Sequence, residues 1–269
     1  MNRERIGIFD SGVGGLTVVR AVNRLLPRES VIYFGDTARV PYGSKSPETV
    51  IRFALEDAEF LLEKGIKLLV VACNTASSVS LPALEDFADV PVVGVIEPGA
   101  KTASVLTANG VVGVIGTLGT IASGAYQKAL KAYPGVTRVV AQPSPLLVPL
   151  VEEGWLEHRI TELVLEEYTS PLVSEGIDTL VLGCTHYPLL KDTLSAVLGE
   201  GIALVDSAES TAGEVARILE REGMLSSREG GGENSFYVSD IPLKFQEIAQ
   251  RFLGRAVPLV TQVEVGEQS

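Results

Sequence analysis

The sequence predicts an α/β protein built from two pseudo-symmetric domains, each with a parallel sheet, that face each other across an interdomain cleft. Three observations predict this class. Short apolar segments alternate with segments of helical periodicity along most of the 269 residues. The short segments are apolar on both faces, as strands are when helices cover both sides of a sheet. The order of strands and polar loops in the first half of the chain recurs in the second half.

Short runs rich in Val, Ile and Leu are predicted as strands. They are residues 6–9, 31–34, 68–72, 92–95, 111–115, 179–182 and 203–205. Between the second and third of these runs, residues 47–64 carry apolar side chains at the spacing of an amphipathic helix. Parallel strands joined by helices make right-handed crossovers the expected connection.

A weak internal repeat relates the two halves. The first predicted strand ends in a loop of small residues at 10–15, and the third ends at Cys73. The fifth predicted strand ends in a polar loop at 116–120, and the sixth ends at Cys184. The repeat predicts two related units that face each other, and chance similarity between α/β units is the alternative.

The chain is expected to pass between the two units near the Glu-Pro-Gly segment at 97–99. A proline disfavours helix for the residue before it, and a glycine relaxes the backbone. A return passage is expected at 206–207. The predicted first domain is therefore residues 1–97 plus 207–269, and the second is residues 98–206.

Composition excludes several classes of protein. The net charge is −12, and Lys and Arg are scattered, so no basic stripe is available for a phosphate backbone and nucleic acid is not expected as the main ligand. No apolar run approaches the roughly 18–20 residues that span a bilayer, and the N-terminus leads directly into a strand. We therefore expect a cytoplasmic protein without signal peptide or membrane contact, whose two cysteines are thiols rather than a disulfide.

The small-residue loop at 10–15 resembles a dinucleotide fingerprint only in part. The pattern G-x-G-x-x-G requires a third glycine where this chain has Thr17, so no nucleotide cofactor is expected. Two interpretations remain for the loop. Free backbone N–H groups at a helix start can hold an anion, or Asp10 or Ser11 simply caps the turn.

The two cysteines lie where open α/β sheets place their ligands, at the carboxyl ends of predicted strands. A single cysteine in such a place is more often an inert buried thiol. The pair favours a functional site, because small or polar residues at a helix start surround both Cys73 and Cys184. At a helix start, N–H groups and the helix dipole are expected to lower the pKa of a thiol.

Other uses of cysteine and histidine fit the sequence less well. A zinc site would have to combine Cys73, His158, Cys184 and His186 without any C-x-x-C or H-x-x-x-H pair, so no metal is expected. A redox dithiol lacks the same C-x-x-C spacing. A cysteine hydrolase leaves one cysteine unexplained, and an amino-acid-binding protein would use both only structurally. His186 either hydrogen-bonds near Cys184 or is a surface imidazole.

Polar motifs follow one another in a fixed order along the chain: Asp-Ser-Gly-Val-Gly-Gly at 10–15, Pro-Tyr-Gly at 41–43, Ala-Cys-Asn-Thr-Ala-Ser at 72–77, Glu-Pro-Gly at 97–99, Gly-Thr-Leu-Gly-Thr at 116–120 and Gly-Cys-Thr-His-Tyr-Pro at 183–188. Each motif alone is weak. As a set, from Asp10 to about Thr211, they resemble the glutamate racemases of the cofactor-independent aspartate/glutamate racemase superfamily.

The resemblance implies cofactor-free interconversion of L- and D-glutamate, with D-glutamate supplied to peptidoglycan, in a two-domain enzyme that is commonly a homodimer. It implies that Cys73 and Cys184 are the catalytic acid and base, with Cys73 deprotonating D-glutamate and Cys184 deprotonating L-glutamate. It assigns Asp10 to assist Cys73 and His186 to assist Cys184. Inverting an α-carbon needs one base on each face, one as thiolate and one as thiol.

The resemblance also implies a substrate-binding shell. Its members are Asp10, Ser11, Tyr42, Gly43, Asn74, Thr75, Thr117, Thr120, Glu152, Thr185 and His186. The aspartate-specific branch often has Glu in place of His186, so glutamate is favoured, and another amino-acid racemase is the alternative. The related decarboxylases keep one cysteine. Because the first motif begins at Asp10, the N-terminal extension that binds a cell-wall precursor in some relatives is not expected.

Overall fold

The computed structural model describes residues 4–241, 245–257 and 259–266. The strands are β1 (Arg5–Asp10), β2 (Ser30–Gly35), β3 (Ile66–Val71), β4 (Val92–Gly94), β5 (Val111–Gly116), β6 (Arg138–Pro143), β7 (Thr179–Gly183), β8 (Ala203–Asp206), β9 (Asn234–Val238) and β10 (Val260–Gln262). The α-helices are α1 (Leu16–Leu25), α2 (Pro47–Glu63), α3 (Asn74–Phe87), α4 (Ile96–Leu106), α5 (Leu118–Ala122), α6 (Ala125–Lys131), α7 (Leu147–Glu152), α8 (Arg159–Ser174), α9 (Lys191–Leu198), α10 (Ser207–Arg221) and α11 (Phe245–Leu253). Single 3₁₀ turns lie at Tyr42–Ser44 and Tyr187–Leu190.

The strands form two parallel sheets. The first has six strands in the order β10-β9-β2-β1-β3-β4, and the second has four in the order β6-β5-β7-β8. Every strand pairing is parallel, with β1 between β2 and β3 and β5 between β6 and β7. The second sheet therefore repeats the β2-β1-β3-β4 order of the first. This confirms the predicted α/β class with two pseudo-symmetric parallel sheets.

The predicted strands that are apolar on both faces all exist. Their central residues are buried because helices cover both sides of each sheet; β2 and β3 are buried along their whole length. The predicted helix at 47–64 is also confirmed as α2, which Ser46 caps by accepting a hydrogen bond from the backbone N–H of Thr49.

Three strands were missed: β6, β9 and β10. β6 and β10 are edge strands, and β6 is only partly buried. Arg138 and Gln142 bound a short apolar run in β6, so this strand lacks the longer run by which a central parallel strand is recognised. β9 pairs with β2 and is likewise only partly apolar.

The expected break at 97–99 is wrong in its local form. The segment is not an extended hinge, because Glu97, Pro98 and Gly99 lie in the first turn of α4. Proline is tolerated there, since the N–H groups of a first helical turn have no partner inside the helix. The return at 206–207 is also a helix start, where Asp206 caps α10 by accepting hydrogen bonds from the N–H groups of Ala208 and Glu209.

Sheet membership follows the division that the sequence predicts. β1–β4, β9 and β10 form one sheet, and β5–β8 form the other. On this ground we propose that residues 1–97 plus 207–269 form the first domain and residues 98–206 form the second. Residues 1–3, 242–244, 258 and 267–269 of that division lie outside the described residues.

The largest hydrophobic core draws side chains from both sheets. It joins Val13 and Leu16 of the first half to Leu147 and Tyr187 of the second, and it includes Phe252 of α11. Apolar contact therefore continues from one half to the other behind the strand ends. Within the described residues, no helix is both long and apolar enough to cross a membrane.

Candidate active site

The two cysteines occupy equivalent positions in the two sheets. Cys73 lies two residues after the end of β3, and Cys184 follows β7 directly. β3 and β7 take the same place in the repeated strand order. Both cysteines are free thiols, and both line one cavity of about 510 Å³ between the carboxyl ends of the two sheets. The paired placement that the sequence predicted is thus present in the fold.

Most predicted site residues line the same cavity. They are Ser11, Tyr42, Gly43, Cys73, Asn74, Thr75, Thr117, Glu152, Cys184, Thr185 and His186. Asp10 and Thr120 do not line the cavity. They are buried directly behind it and hydrogen-bond to lining residues.

Cys73 caps the N-terminus of α3. Its Sγ accepts a hydrogen bond from the N–H of Ala76 at 3.5 Å, and the Ser11 hydroxyl lies 3.6 Å from the sulfur. These contacts favour a thiolate, as a helix start does in general. Burial and the negative charge of Asp10 outweigh them and raise the pKa of Cys73 to about 12. The expectation of a lowered thiol pKa is therefore wrong for Cys73, because desolvation disfavours the charged form.

Cys184 has a different partner. Its Sγ lies 3.8 Å from Nδ1 of His186, and Nε2 of the same imidazole lies 2.8 Å from Oε1 of Glu152. Burial lowers the pKa of His186, but the hydrogen bonds and charges of Cys184 and Glu152 raise it to about 10. His186 is therefore an imidazolium at neutral pH, and its Nδ1–H can donate a charge-assisted hydrogen bond to a Cys184 thiolate. The surface-imidazole alternative is excluded, since His186 is buried.

Asp10 connects to the Cys184 side as well as to its own loop. One carboxylate oxygen accepts a hydrogen bond from the N–H of Gly12 at 3.0 Å, and the other lies 3.5 Å from the Thr185 hydroxyl. Burial raises the pKa of Asp10, while the charge of His186 opposes that rise. The loop at 10–15 is therefore a capped turn. Gly14 has no room for a side chain there, because a Cβ would meet Thr185 and His186.

Three threonine hydroxyls join the two halves at one end of the cavity. The Thr75 hydroxyl lies 2.9 Å from that of Thr117 and 3.2 Å from that of Thr120, and the last two are 3.0 Å apart. Thr75 belongs to α3, whereas Thr117 caps α5. A hydroxyl can donate or accept, so this cluster can adapt to a carboxylate.

Asn74 presents a donor without a partner. Its Oδ1 accepts a hydrogen bond from the Tyr126 hydroxyl at 2.7 Å. Its Nδ2 is buried and has no hydrogen-bond partner within the described residues. A buried polar group without a partner is costly, and Asn74 lines the cavity. Asn74 therefore carries a hydrogen-bond donor beside the cavity that the described residues leave unused.

Tyr42 lines the cavity, but its hydroxyl is already engaged. It donates to Oδ2 of Asp36 at 2.5 Å and lies 3.1 Å from Oδ2 of Asp57. Burial and the nearby charge of Asp36 raise the pKa of Asp57 well above its usual range. Arg39 bridges the two carboxyl groups, at 2.6 Å from Asp36 and 2.8 Å from Asp57. This buried cluster fixes the loop that carries Tyr42 and Gly43.

Sequence reasoning missed the apolar wall of the cavity. The lining also contains Gly12, Val13, Val40, Pro41, Ser44, Leu118, Pro145, Val148 and Pro149. Pro145, Val148 and Pro149 follow β6, a strand that was not predicted. The repeat itself was an available signal, since β6 is the counterpart of β2 and ligand-binding loops follow the carboxyl ends of such strands.

No Lys or Arg is among the described residues that line the cavity. Negative groups of a ligand must therefore be bound by neutral donors and by His186. His158, considered above as a zinc ligand, instead caps α8, where its Nδ1 accepts a hydrogen bond from the N–H of Ile160. Within the described part of the chain, no three His, Cys, Asp or Glu side chains form a metal-binding group.

Comparison with known proteins agrees with the site. Residues 6–215 match the model of the Asp/Glu/Hydantoin racemase family. The chain is 54% identical over 260 residues to a glutamate racemase of Geobacter metallireducens, covering 97% of this chain and 96% of the relative. It is similar to the crystal structure of a Thermus thermophilus glutamate racemase in complex with β-chloro-D-alanine, with 50% identity, a TM-score of 0.87 and 97% of each chain covered. A Francisella tularensis glutamate racemase in complex with D-glutamate is 36% identical, with a TM-score of 0.91 and 98% of each chain covered.

Proposed function

The chain belongs to the Asp/Glu/Hydantoin racemase family and is an amino-acid racemase, and we propose that it interconverts L- and D-glutamate with two cysteine bases. The relatives that share about half of its residues carry the name glutamate racemase. The observation that carries the mechanism is the pair of free cysteines at equivalent strand ends of one cavity.

The protonation states give the reaction a starting point. Cys73 is a thiol at neutral pH because its pKa is raised to about 12. Cys184 faces the imidazolium of His186, which stabilises a thiolate. The enzyme in this state accepts L-glutamate. The Cys184 thiolate removes the α-proton, and the Cys73 thiol donates a proton to the opposite face of the carbanion.

The product of that turnover is D-glutamate with the protonation states of the cysteines exchanged. Cys184 is then the thiol and Cys73 the thiolate, which is the state that accepts D-glutamate. The raised pKa of Cys73 makes its thiolate the stronger base, as the weakly acidic α-hydrogen requires. Positioning and electrostatic support must supply the remainder of the rate acceleration.

Neutral donors account for binding of the two substrate carboxylates. Nδ2 of Asn74 supplies a donor without a competing partner, and the hydroxyls of Thr75 and Thr117 lie at the same cavity. The hydroxyl of Tyr42 is engaged with Asp36, so we assign the Tyr42–Gly43 contribution to the main chain. A related racemase from Francisella tularensis has been crystallised in complex with D-glutamate, which supports glutamate as the ligand.

Proton NMR in D₂O tests this function. L-glutamate and, separately, D-glutamate are incubated with reduced enzyme without added cofactor, and circular dichroism follows the optical rotation. We expect loss of the α-proton signal together with loss of optical activity from both enantiomers. Absence of exchange from both, with folded and reduced protein, would contradict the proposal. An aspartate sample in the same series identifies the alternative amino-acid racemase.

The family resemblance carries three further proposals. The D-glutamate is used in peptidoglycan synthesis, the enzyme acts in the cytoplasm, and it forms a homodimer. Growth of a bacterium deprived of D-glutamate, with and without a plasmid that carries this chain, tests the first. Fractionation of the same cells tests the second. Light scattering of the purified protein tests the third, where the mass of one chain, 28.6 kDa, would contradict it.

A further inference from the structure

Helix α11 lies outside the part of the chain that carries the family motifs. The family model matches residues 6–215, whereas α11 spans Phe245–Leu253. The helix is amphipathic, and it buries Phe245, Ala249, Phe252 and Leu253 in the core that both sheets share. Two consecutive residues at its end, Arg251 and Phe252, contact the Cys184 side of the cavity.

Phe252 packs against the ring of His186. The two ring centroids are 4.9 Å apart and the planes meet at 78°, which is an edge-to-face contact between buried rings. Such contacts restrict the orientation of both rings. Nδ1 of His186 must point at Cys184 while Nε2 points at Glu152, so the ring plane decides whether both contacts form at once.

Arg251 holds the helix that carries Glu152. Its guanidinium donates to the carbonyl oxygens of Val151 and Glu152, at 3.2 and 2.9 Å. These carbonyl oxygens belong to the last two residues of α7. A cation is favourable there because the C-terminal end of a helix dipole is negative. Gly154 adopts a φ of +79°, and a Cβ there would lie 2.7 Å from the guanidinium. The backbone at Gly154 therefore lies against the guanidinium of Arg251.

We propose that Arg251 and Phe252 are positioning residues that act through His186 and Glu152 on the half-reaction at Cys184. This inference rests on the proposed two-cysteine function. The titratable groups that face His186 are Cys184, Glu152 and Asp10, whereas the groups that act on Cys73 are Asp10, Ala76, Ser11 and Cys184. The proposal therefore predicts that changes at Arg251 and Phe252 slow proton transfer at Cys184 and leave proton transfer at Cys73 unaffected.

Isotope effects distinguish the two sides. The equilibrium constant of a racemisation is 1, so kcat/KM must remain equal for the two enantiomers in every variant. The primary isotope effect, by contrast, can differ between the two enantiomers. Deuterium on the α-carbon of L-glutamate reports proton removal by Cys184, and deuterium on D-glutamate reports removal by Cys73.

The variants are Phe252→Leu and Arg251→Met, with Phe245→Leu as the matched control from the same buried face of α11. Misplacement of His186 or Glu152 is expected to lower kcat/KM by about 10-fold in the first two. The isotope effect on kcat/KM should rise for deuterated L-glutamate and fall for deuterated D-glutamate. Phe245→Leu should leave both isotope effects unchanged. Arg251→Lys, which keeps the charge, should recover part of the loss.

Equal changes for both enantiomers, or the same changes in Phe245→Leu, would overturn the proposal and leave α11 a purely structural role. Circular dichroism checks that each variant is folded. Because Arg251 is partly exposed, its variant keeps the test available even where Phe252→Leu unfolds.

A second readout does not depend on racemisation. Iodoacetamide alkylation of the two cysteines is measured by mass spectrometry between pH 6 and 10. In Phe252→Leu and Arg251→Met, Cys184 should be alkylated more slowly than in the wild type, because Nδ1 of His186 no longer points at its sulfur. The alkylation rate of Cys73 should not change. An unchanged rate at Cys184 refutes the positioning role, whereas failure of the wild-type enzyme to racemise glutamate refutes the proposed function.

Discussion

The Cys73 and Cys184 halves of the site share a backbone and differ in chemistry. Both cysteines follow the same strand of a repeated β2-β1-β3-β4 order. Cys73 meets the hydroxyl of Ser11 and the N–H of Ala76, and its pKa is raised to about 12. Cys184 meets the imidazole of His186, which Glu152 supports.

The difference shows that a repeated fold sets the position of two bases without making them equivalent. A two-base racemase needs one thiol and one thiolate at the start of each turnover. Two cysteines in identical surroundings would share one proton with no preference for either sulfur. Unequal neighbours, hydroxyl and amide on one side and imidazolium on the other, assign the proton to Cys73.

The largest effect is expected from removing either base. Cys73→Ala and Cys184→Ala should each lower the rate of racemisation by at least about 10⁴-fold, because neither face of the α-carbon can be served by the remaining cysteine. Circular dichroism should show an unchanged fold. Racemisation at the wild-type rate in either variant would rule out the two-base mechanism.

Removing His186 or Asp10, the groups assigned to assist the cysteines, should have a smaller effect that is confined to one of the two half-reactions. His186→Asn is expected to lower kcat/KM by roughly 10²–10³-fold and to raise the isotope effect for deuterated L-glutamate, since Cys184 loses its imidazolium. Asp10→Asn should raise the isotope effect for deuterated D-glutamate, because the resemblance assigns Asp10 to assist Cys73. A rise for L-glutamate instead would assign Asp10 to Cys184, through its contact with Thr185.

Alkylation of the wild-type enzyme tests the raised pKa of Cys73. A thiol with a pKa of about 12 carries very little thiolate at pH 7.5. Iodoacetamide should therefore modify Cys73 very slowly at pH 7.5, and the rate should increase as the pH rises towards 12. Fast modification of Cys73 at pH 7.5, measured by peptide mass spectrometry, would show that burial does not hold this cysteine as a thiol.

The smallest effect concerns stability at alkaline pH. The pKa of His186 is raised to about 10 in the folded protein, above about 6.5 for an unfolded histidine. The folded state therefore binds the extra proton between these values, and the stabilisation is complete below about pH 6.5 and lost as the pH rises through 10. Calorimetry should show Tm falling over this range in the wild type and falling less in His186→Asn. A Tm with the same pH dependence in both proteins would argue against a protonated His186.

The sequence by itself determined the α/β class, the repeat and the paired cysteines. Its information was local: apolar runs that are buried on both faces, helical spacing in α2, and cysteines that directly end such runs. Segments of this kind keep their structure because each one buries its own apolar residues. The motifs added the family, and most of the residues they assigned do line one cavity.

Only the tertiary structure decided which groups act on one another. Strand β6 was missed in the sequence, because Arg138 and Gln142 bound a short and only partly buried apolar run. The hydroxyl of Tyr42 is held by Asp36, and Phe252 reaches His186 across 66 positions of the chain. The pKa of Cys73 rose rather than fell, since burial depends on everything packed around a sulfur and not on the helix start beside it.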